Sequence, residues 1–139
     1  MCANAGPREE YWVGLDIAAG EPFPVLPGAM LGFNLHEEFR LSVGAGFLEE
    51  WNTYQLDVKL FLSPEALAAY IGGGISHMRG GPSKALFWLL EYDKITFPYL
   101  EGGMDYTTEI GLHININAGL AGVGPFFIFL PGIALGWYF

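Results

Sequence analysis

The sequence is poor in several kinds of residue that define common protein classes. Only one of its 139 residues is cysteine, which excludes an internal disulfide framework and a CxxC metal site. Charged residues make up 15% of the chain, against about 25% in typical soluble domains. Six Lys and Arg stand against fifteen Asp and Glu, giving a net charge of −9. Because nucleic-acid binders depend on basic surfaces, we predict no nucleic-acid partner.

Sequence motifs for cofactors and metals are missing too. No glycine-rich dinucleotide pattern follows a strand-like segment, and there is no P-loop. The three histidines, His36, His77 and His113, are too scattered to indicate a zinc site. We therefore predict no cofactor and no bound metal.

What the chain does contain is a high proportion of apolar side chains. Hydrophobic residues account for 52% of it and aromatic residues for 16%. Intrinsic disorder requires low hydrophobicity and high charge, so it is an unsuitable description of this composition. Twenty glycines and nine prolines also exclude a coiled coil. The remaining classes are a membrane protein and an unusually apolar all-β domain.

A membrane helix is one alternative for the end of the chain. Residues 111–139 contain no Asp, Glu, Lys or Arg, and about 20 apolar residues suffice for such a helix. The segment Gly132–Gly136 even matches the GxxxG packing motif of membrane helices. However, Pro125, Pro131 and five glycines interrupt the stretch. Residues 109–118 also alternate strictly between apolar and small or polar residues, which indicates a strand.

The same alternation with a period of two recurs along the whole chain. No charged residue falls on the apolar face, and each segment is close to the 9–11 residues of a tilted membrane strand. Eight segments show the pattern: 11–20, 29–35, 39–47, 54–62, 69–76, 99–106, 109–118 and 127–139.

The two faces differ in a way that indicates which one points outward. The polar face is crowded with glycine, whereas the apolar face carries large and aromatic side chains. A narrow lumen explains small polar residues inside, and a bilayer explains apolar residues outside. We therefore predict an all-β fold, an eight-stranded antiparallel up-and-down transmembrane β-barrel over residues 11–139. It has short turns at 36–38, 63–65 and 107–108, which are periplasmic if the N-terminus starts on that side, and one longer loop at 79–94, which is then external.

The first ten residues lack a complete signal peptide, since they have no basic start and no long apolar run. Ala3-Asn4-Ala5 fits the small-residue pattern before a cleavage point. We therefore expect residues 1–10 to be a signal-peptide stub or a disordered N-terminal tail. A lipid-anchored Cys2 is the third alternative.

The polar face of the strands carries a set of titratable residues that we expect to form a polar network in the lumen. Buried charges must be paired, and only two of these residues are bases. An interior of eight strands is filled by side chains, so a large pore is excluded, although a narrow ion path stays open. The predicted network comprises Asp16, Arg40, Asp57, Lys59, Glu101, Asp105, Glu109 and His113.

The segment 79–94 is the strongest candidate for an interaction site. It holds three of the six bases, and its run Ala85–Leu90 is apolar. Aromatic rings beside bases suit a membrane interface or a protein partner. A plain extension of the fifth and sixth strands is the alternative. The candidate contact residues are Arg79, Lys84, Phe87, Trp88 and Lys94.

From Tyr11 to Phe139 the chain resembles the small eight-stranded outer-membrane β-barrels, the group that includes OmpX and the OmpA transmembrane domain. The most specific feature is the terminal Gly136-Trp137-Tyr138-Phe139, and Pro98–Gly103 looks like a strand start of that group. The resemblance implies the outer membrane of a Gram-negative bacterium. It also implies an assembly signal, read by the barrel-assembly machinery, at Ile133, Leu135, Trp137 and Phe139.

These observations predict a structural or interaction role and no enzymatic activity. The expected partners are outer-membrane lipids or lipopolysaccharide, together with a protein partner in an outer-membrane complex. Two alternatives stay open at this point. One is a lipid-modifying enzyme that uses His113 with a lumen carboxylate, and the other is a narrow ion-conducting barrel.

Overall fold

A computed structural model describes residues 6–19, 28–48, 51–80, 94–123 and 125–139 of the chain. A one-turn helix, α1 (Pro7–Glu10), precedes eight strands. The strands are β1 (Val13–Ala19), β2 (Gly28–His36), β3 (Phe39–Leu48), β4 (Trp51–Phe61), β5 (Leu67–Arg79), β6 (Lys94–Thr107), β7 (Leu112–Val123) and β8 (Phe126–Tyr138).

Each strand pairs antiparallel with the next strand in the chain, and β8 pairs with β1. The sheet is therefore a closed up-and-down barrel, and the predicted fold class is confirmed. The seam between the first and last strands runs from Gly14 opposite Tyr138 to Ala19 opposite Ile133. Closure leaves no sheet edge, so every strand finds backbone partners on both sides.

The segment 111–139 is not a membrane helix. It forms β7 and β8, which are paired from Leu112 opposite Trp137 to Val123 opposite Phe126. Among the described residues, no helix is both long and apolar enough to cross a membrane. The strand prediction from the alternation is therefore the correct one for this segment. Glycine and proline disfavour a long helix, and a period of two places alternate side chains on opposite faces of a strand.

The outer surface of the barrel is apolar, as the alternation predicts. Ile17 is 72% exposed, Leu100 is 69% exposed and Phe127 is 79% exposed. A barrel in water would bury such side chains. The inverted arrangement, with apolar side chains outside and polar ones inside, is that of a barrel whose strands cross a bilayer.

The two ends of the barrel differ. The turns β2–β3, β4–β5 and β6–β7 lie at one end, together with α1, and we call this the turn end. The other end, which we call the loop end, carries the longer connection from β5 to β6. Both of these strands are longer than predicted, and Arg79 lies directly opposite Lys94. The predicted external loop 79–94 therefore begins and ends on strand residues, and residues 81–93 lie outside the described chain.

The described part of the N-terminal segment is ordered. Pro7–Glu10 forms a helical turn, which the proline at its first position favours. Arg8 of this helix is only 1% exposed. Its side chain enters the barrel at the turn end, so residues 6–10 are ordered against the barrel, and the origin of residues 1–10 as a signal-peptide stub stays a prediction.

Candidate functional site in the barrel lumen

Asp105 lies at the centre of a charged layer in the half of the lumen nearer the turn end. It projects from β6 and is completely buried. Its Oδ1 accepts from Arg8 Nη1 at 3.2 Å, and its Oδ2 accepts from Arg40 Nη1 at 2.8 Å. His113 Nε2 lies 2.5 Å from the same Oδ2. One carboxylate therefore joins two guanidinium groups and an imidazole from three different elements.

His113 links this layer to a second carboxylate. Its Nδ1 lies 2.7 Å from Asp16 Oδ1 on β1, while its Nε2 faces Asp105. An ionised carboxylate accepts hydrogen bonds and donates none. The imidazole therefore bridges the carboxylates of Asp16 and Asp105. The ring of Tyr138 packs against the imidazole edge, with centroids 4.9 Å apart, and fixes its orientation.

Arg40 occupies the middle of the same layer. Its Nε donates to Asn34 Oδ1 at 2.7 Å, and its guanidinium stacks on two aromatic rings. The centroid of Phe61 is 4.9 Å away and that of Tyr138 is 4.5 Å away. Planar stacking with directed hydrogen bonds is a mode that arginine supports and lysine does not. The side chain therefore fills the width of the narrow lumen.

Arg8 closes the lumen at the turn end. Its Nη2 donates to the carbonyl oxygens of Ser63, at 3.0 Å, and Glu65. Its Nε donates to the Glu37 carbonyl at 3.3 Å, and the guanidinium lies 4.4 Å from the Phe61 ring centroid. Burial lowers the pKa of Arg8, although Asp105 opposes the shift, and arginine stays charged in proteins. The helix α1 is thereby tied to two turns and to the charged layer.

A second charged group lies further toward the loop end. Lys59 Nζ on β4 is 3.4 Å from Glu101 Oε1 on β6, and both side chains are buried. Asp57 Oδ2, also on β4, accepts from Tyr99 OH at 3.0 Å and from Gln55 Nε2 at 3.3 Å. This group contains two carboxylates and one base. It therefore carries a local excess of negative charge.

An apolar cluster lies beyond the second charged group, near the loop end. Met78, Phe97 and Ala121 are each at most 1% exposed and pack together inside the barrel. Ile95 and Ile128 pack against them. Polar groups are therefore enclosed between the arginine layer at one end and apolar side chains at the other.

The structure brings together seven of the eight residues predicted for the lumen network. Asp16, Arg40, Asp105 and His113 form the layer near the turn end, and the other three form the second group. Glu109 is not part of either. It lies exposed in the turn between β6 and β7, because the strand ends at Thr107 and Gly111, with φ of 86°, completes the turn.

The other predicted residues lie on the outside or beyond the described chain. Arg79 and Lys94 are exposed at the loop end, whereas Lys84, Phe87 and Trp88 lie outside the described residues. The four residues of the predicted assembly signal lie on β8 or directly after it, and all are exposed, from 42% at Trp137 to 67% at Phe139.

Sequence reasoning missed Arg8 and Tyr138 as members of the site. The sequence did contain a signal for Arg8. Five acids and only two bases were predicted for the lumen, and buried carboxylates require further positive partners. Tyr138 lies in the lumen between Gly14 and Gly32, where any larger side chain would overlap its ring or hydroxyl. The glycines of the polar face therefore make room for the aromatic ring.

Comparisons with known proteins show the fold. No protein-family model matches the chain, and no curated protein matches it. It is similar to the N-terminal β-barrel domain of Pseudomonas aeruginosa OprF, with a TM-score of 0.72, 17% identity and coverage of 91% of this chain and 96% of that one. It is also similar to the Yersinia pestis outer membrane protein Ail, with a TM-score of 0.56, 11% identity and coverage of 93% and 99%.

Proposed function

We propose that the protein is an integral β-barrel of the outer membrane of a Gram-negative bacterium, with a structural or interaction role and a closed lumen. The observation that carries the proposal is the filling of the lumen by the protein's own side chains. The turn end is then periplasmic and the loop end external, as in barrels with short periplasmic turns. The similar protein Ail is itself described as an outer membrane protein.

The arrangement of charges supports a stabilising role for the lumen. Arg40 and Asp105 are at most 2% exposed at their side chains and are paired with each other at 2.8 Å. Such a buried pair is costly to separate, because a single remaining charge has no compensation. A barrel closed by such contacts holds its strands together and offers no wide path for solutes.

The loop end supports an interaction with phosphate groups of the external leaflet. Arg79 and Lys94 face each other across β5 and β6 at the rim, and both are exposed. Two adjacent cations at the level of the headgroups suit the phosphates of lipopolysaccharide. We include the rest of segment 79–94 in this proposed surface, where a protein partner would also dock. The barrel-assembly machinery remains the proposed partner during biogenesis.

A catalytic use of His113 has little support in the described part of the chain. Its ring nitrogens contact Asp16, Asp105 and Arg40, and no hydroxyl or thiol group is among these partners. A nucleophile activated by histidine requires hydrogen-bond contact with the ring. We therefore assign His113 to the stability of the lumen.

We test the closed lumen with Arg8→Ala. The barrel is inserted into liposomes, and the uptake of disaccharides is measured. For the wild type and for this variant we expect the same uptake as in liposomes without protein, because Arg40 and Tyr138 still fill the lumen. We also expect the free energy of unfolding to fall by about 2 kcal/mol, since a buried charged donor is lost. Glu9→Ala on the same helix is the control and changes neither measurement. Sugar uptake by the wild type would show a pore and end the proposal.

The lipopolysaccharide contact is tested with the double variant Arg79→Gln and Lys94→Gln. Each base near an anionic surface contributes about 1 kcal/mol, so we expect the dissociation constant to rise about thirtyfold. The measurement is titration of the detergent-solubilised barrel with lipopolysaccharide. Glu65→Gln, at the opposite rim, leaves the affinity unchanged. Equal affinities of wild type and double variant would exclude this pair as the contact.

A further inference from the structure

Three buried oxygen atoms on the wall of the lumen have no hydrogen-bond partner among the described residues. They are Gln55 Oε1 and Asp57 Oδ1 on β4, and Ser76 Oγ on β5. The three residues are 5%, 1% and 0% exposed. Gln55 lies directly opposite Ser76 in the strand register, and Asp57 lies two residues further on the same face as Gln55. We call these three atoms the oxygen patch.

Unpaired buried oxygen atoms of this kind are rare and costly in native proteins. The amide oxygen of Gln55 and the carboxylate oxygen of Asp57 can only accept. The amide nitrogen of Gln55 already has partners, because Nε2 donates to Asp57 Oδ2 and contacts Met30 Sδ at 3.3 Å. Whatever completes the oxygen patch must therefore bring positive charge or hydrogen-bond donors.

The charge around the oxygen patch favours a cation. Two carboxylates, Asp57 and Glu101, share this part of the lumen with one base, Lys59, whose Nζ lies 3.4 Å from Glu101. Arg40 and Arg8 are both bound to Asp105 in the other layer. The oxygen patch therefore lies in a region with one net negative charge.

Two small buried side chains lie on strands across the lumen from the oxygen patch. Ala18 on β1 and Ala134 on β8 are buried in one cluster with Met30. Met30 contacts Gln55, so this cluster lies at the same depth as the oxygen patch. In the closed barrel β1 lies four strands from β5, and β8 lies four strands from β4, so the two alanines are across the lumen from the oxygen patch.

We propose that the oxygen patch binds a small monovalent cation of the sodium class. Asp57 Oδ1 supplies the charged ligand, and Gln55 Oε1 and Ser76 Oγ supply neutral oxygen ligands. Calcium takes six to eight oxygen ligands that usually include several carboxylates, and in the described part of the chain no three Asp, Glu, His or Cys side chains are arranged so that they could hold such an ion. The arginine layer and the apolar cluster enclose the site from both ends. The ion is therefore a resident component of the barrel and not one in transit.

The test compares the full chain, folded in a neutral detergent, in sodium chloride and in N-methylglucamine chloride at equal ionic strength. Sodium is expected to raise the thermal midpoint in a saturable way, because a ligand that binds only the folded state stabilises it. In Asp57→Asn, the half-saturating sodium concentration rises about tenfold or more, since a charged contact contributes at least that factor. Glu109→Gln removes the same charge from the exposed turn and keeps the wild-type response.

Ser76→Ala provides a second variant if Asp57→Asn fails to fold, because it removes one ligand oxygen without changing the charge. It is expected to weaken the sodium response as well. Crystals soaked in a thallium salt should show anomalous density beside Asp57. Equal thermal midpoints in the two salts, or density at the oxygen patch without an anomalous signal, would mean that water alone fills the site and would overturn the proposal.

Discussion

Replacement of Asp105 by alanine is expected to lower the free energy of unfolding by about 4 kcal/mol, within the range found when one partner of a buried ion pair is removed. The carboxylate is completely buried and contacts Arg8, Arg40 and His113. Without this carboxylate, the two guanidinium groups and the imidazole stay buried close together and lose the negative charge that lies between them. The measurement is denaturant unfolding of the barrel in detergent micelles.

The control for this experiment is Glu109→Ala, in the turn four residues further along the chain. This carboxylate is exposed, so its loss has little effect on stability. Asp105→Asn is expected to fall between the two, because an amide still accepts from one arginine but carries no charge. If Asp105→Ala had the same free energy of unfolding as the wild type, the charged layer would not be what holds the barrel together.

The strands and the direction of their side chains could be predicted because both depend on local sequence. A period of two assigns alternate residues to opposite faces, whatever the rest of the chain does. Asp16, Asp57 and His113 were placed in the lumen on this basis, and the structure buries all three. The same rule fails where a strand ends, which is why Glu109 was wrongly placed in the lumen.

The position of Arg8 could not be predicted from local pattern. Its contact with Asp105 joins residues 97 positions apart, and its other hydrogen-bond partners are backbone carbonyls in the β2–β3 and β4–β5 turns. Such contacts exist only once the barrel has closed and the turns have come together. A four-residue helix such as Pro7–Glu10 is also too short to form without tertiary contacts.

The difference between the two halves of the lumen could not be predicted from the sequence either. Alternation puts Asp57 and Asp105 on the same face of their strands and gives no information about their neighbours. The closed barrel surrounds Asp105 with donors, whereas one oxygen of Asp57 has no hydrogen-bond partner in the part of the chain that the structure describes. The stability of the first group and the proposed cation site at the second follow from this difference.

A single methyl group at the seam between β1 and β8 is expected to have a large effect on folding. Gly136 lies opposite Asp16, and a Cβ atom there would overlap both the Leu15 carbonyl oxygen and the Asp16 carboxylate. Gly136→Ala therefore forces the two strands apart and displaces Asp16 from His113. We expect at least about 3 kcal/mol of destabilisation, at the upper end of the range for overpacked cores. On an unboiled SDS gel, the folded band that moves on heating should largely disappear.

Gly102→Ala is the matched control, since it adds the same methyl group to a glycine in β6. The nearest atom to its Cβ would be the Tyr70 carbonyl oxygen at 3.5 Å, an ordinary contact distance. This variant should keep the heat-modifiable band of the wild type. If Gly136→Ala kept it equally well, the seam would have to tolerate a shift of β1 against β8, and Asp16 would not be needed beside His113 for closure. Loss of the band in Gly136→Ala alone locates the requirement for a small residue at the seam.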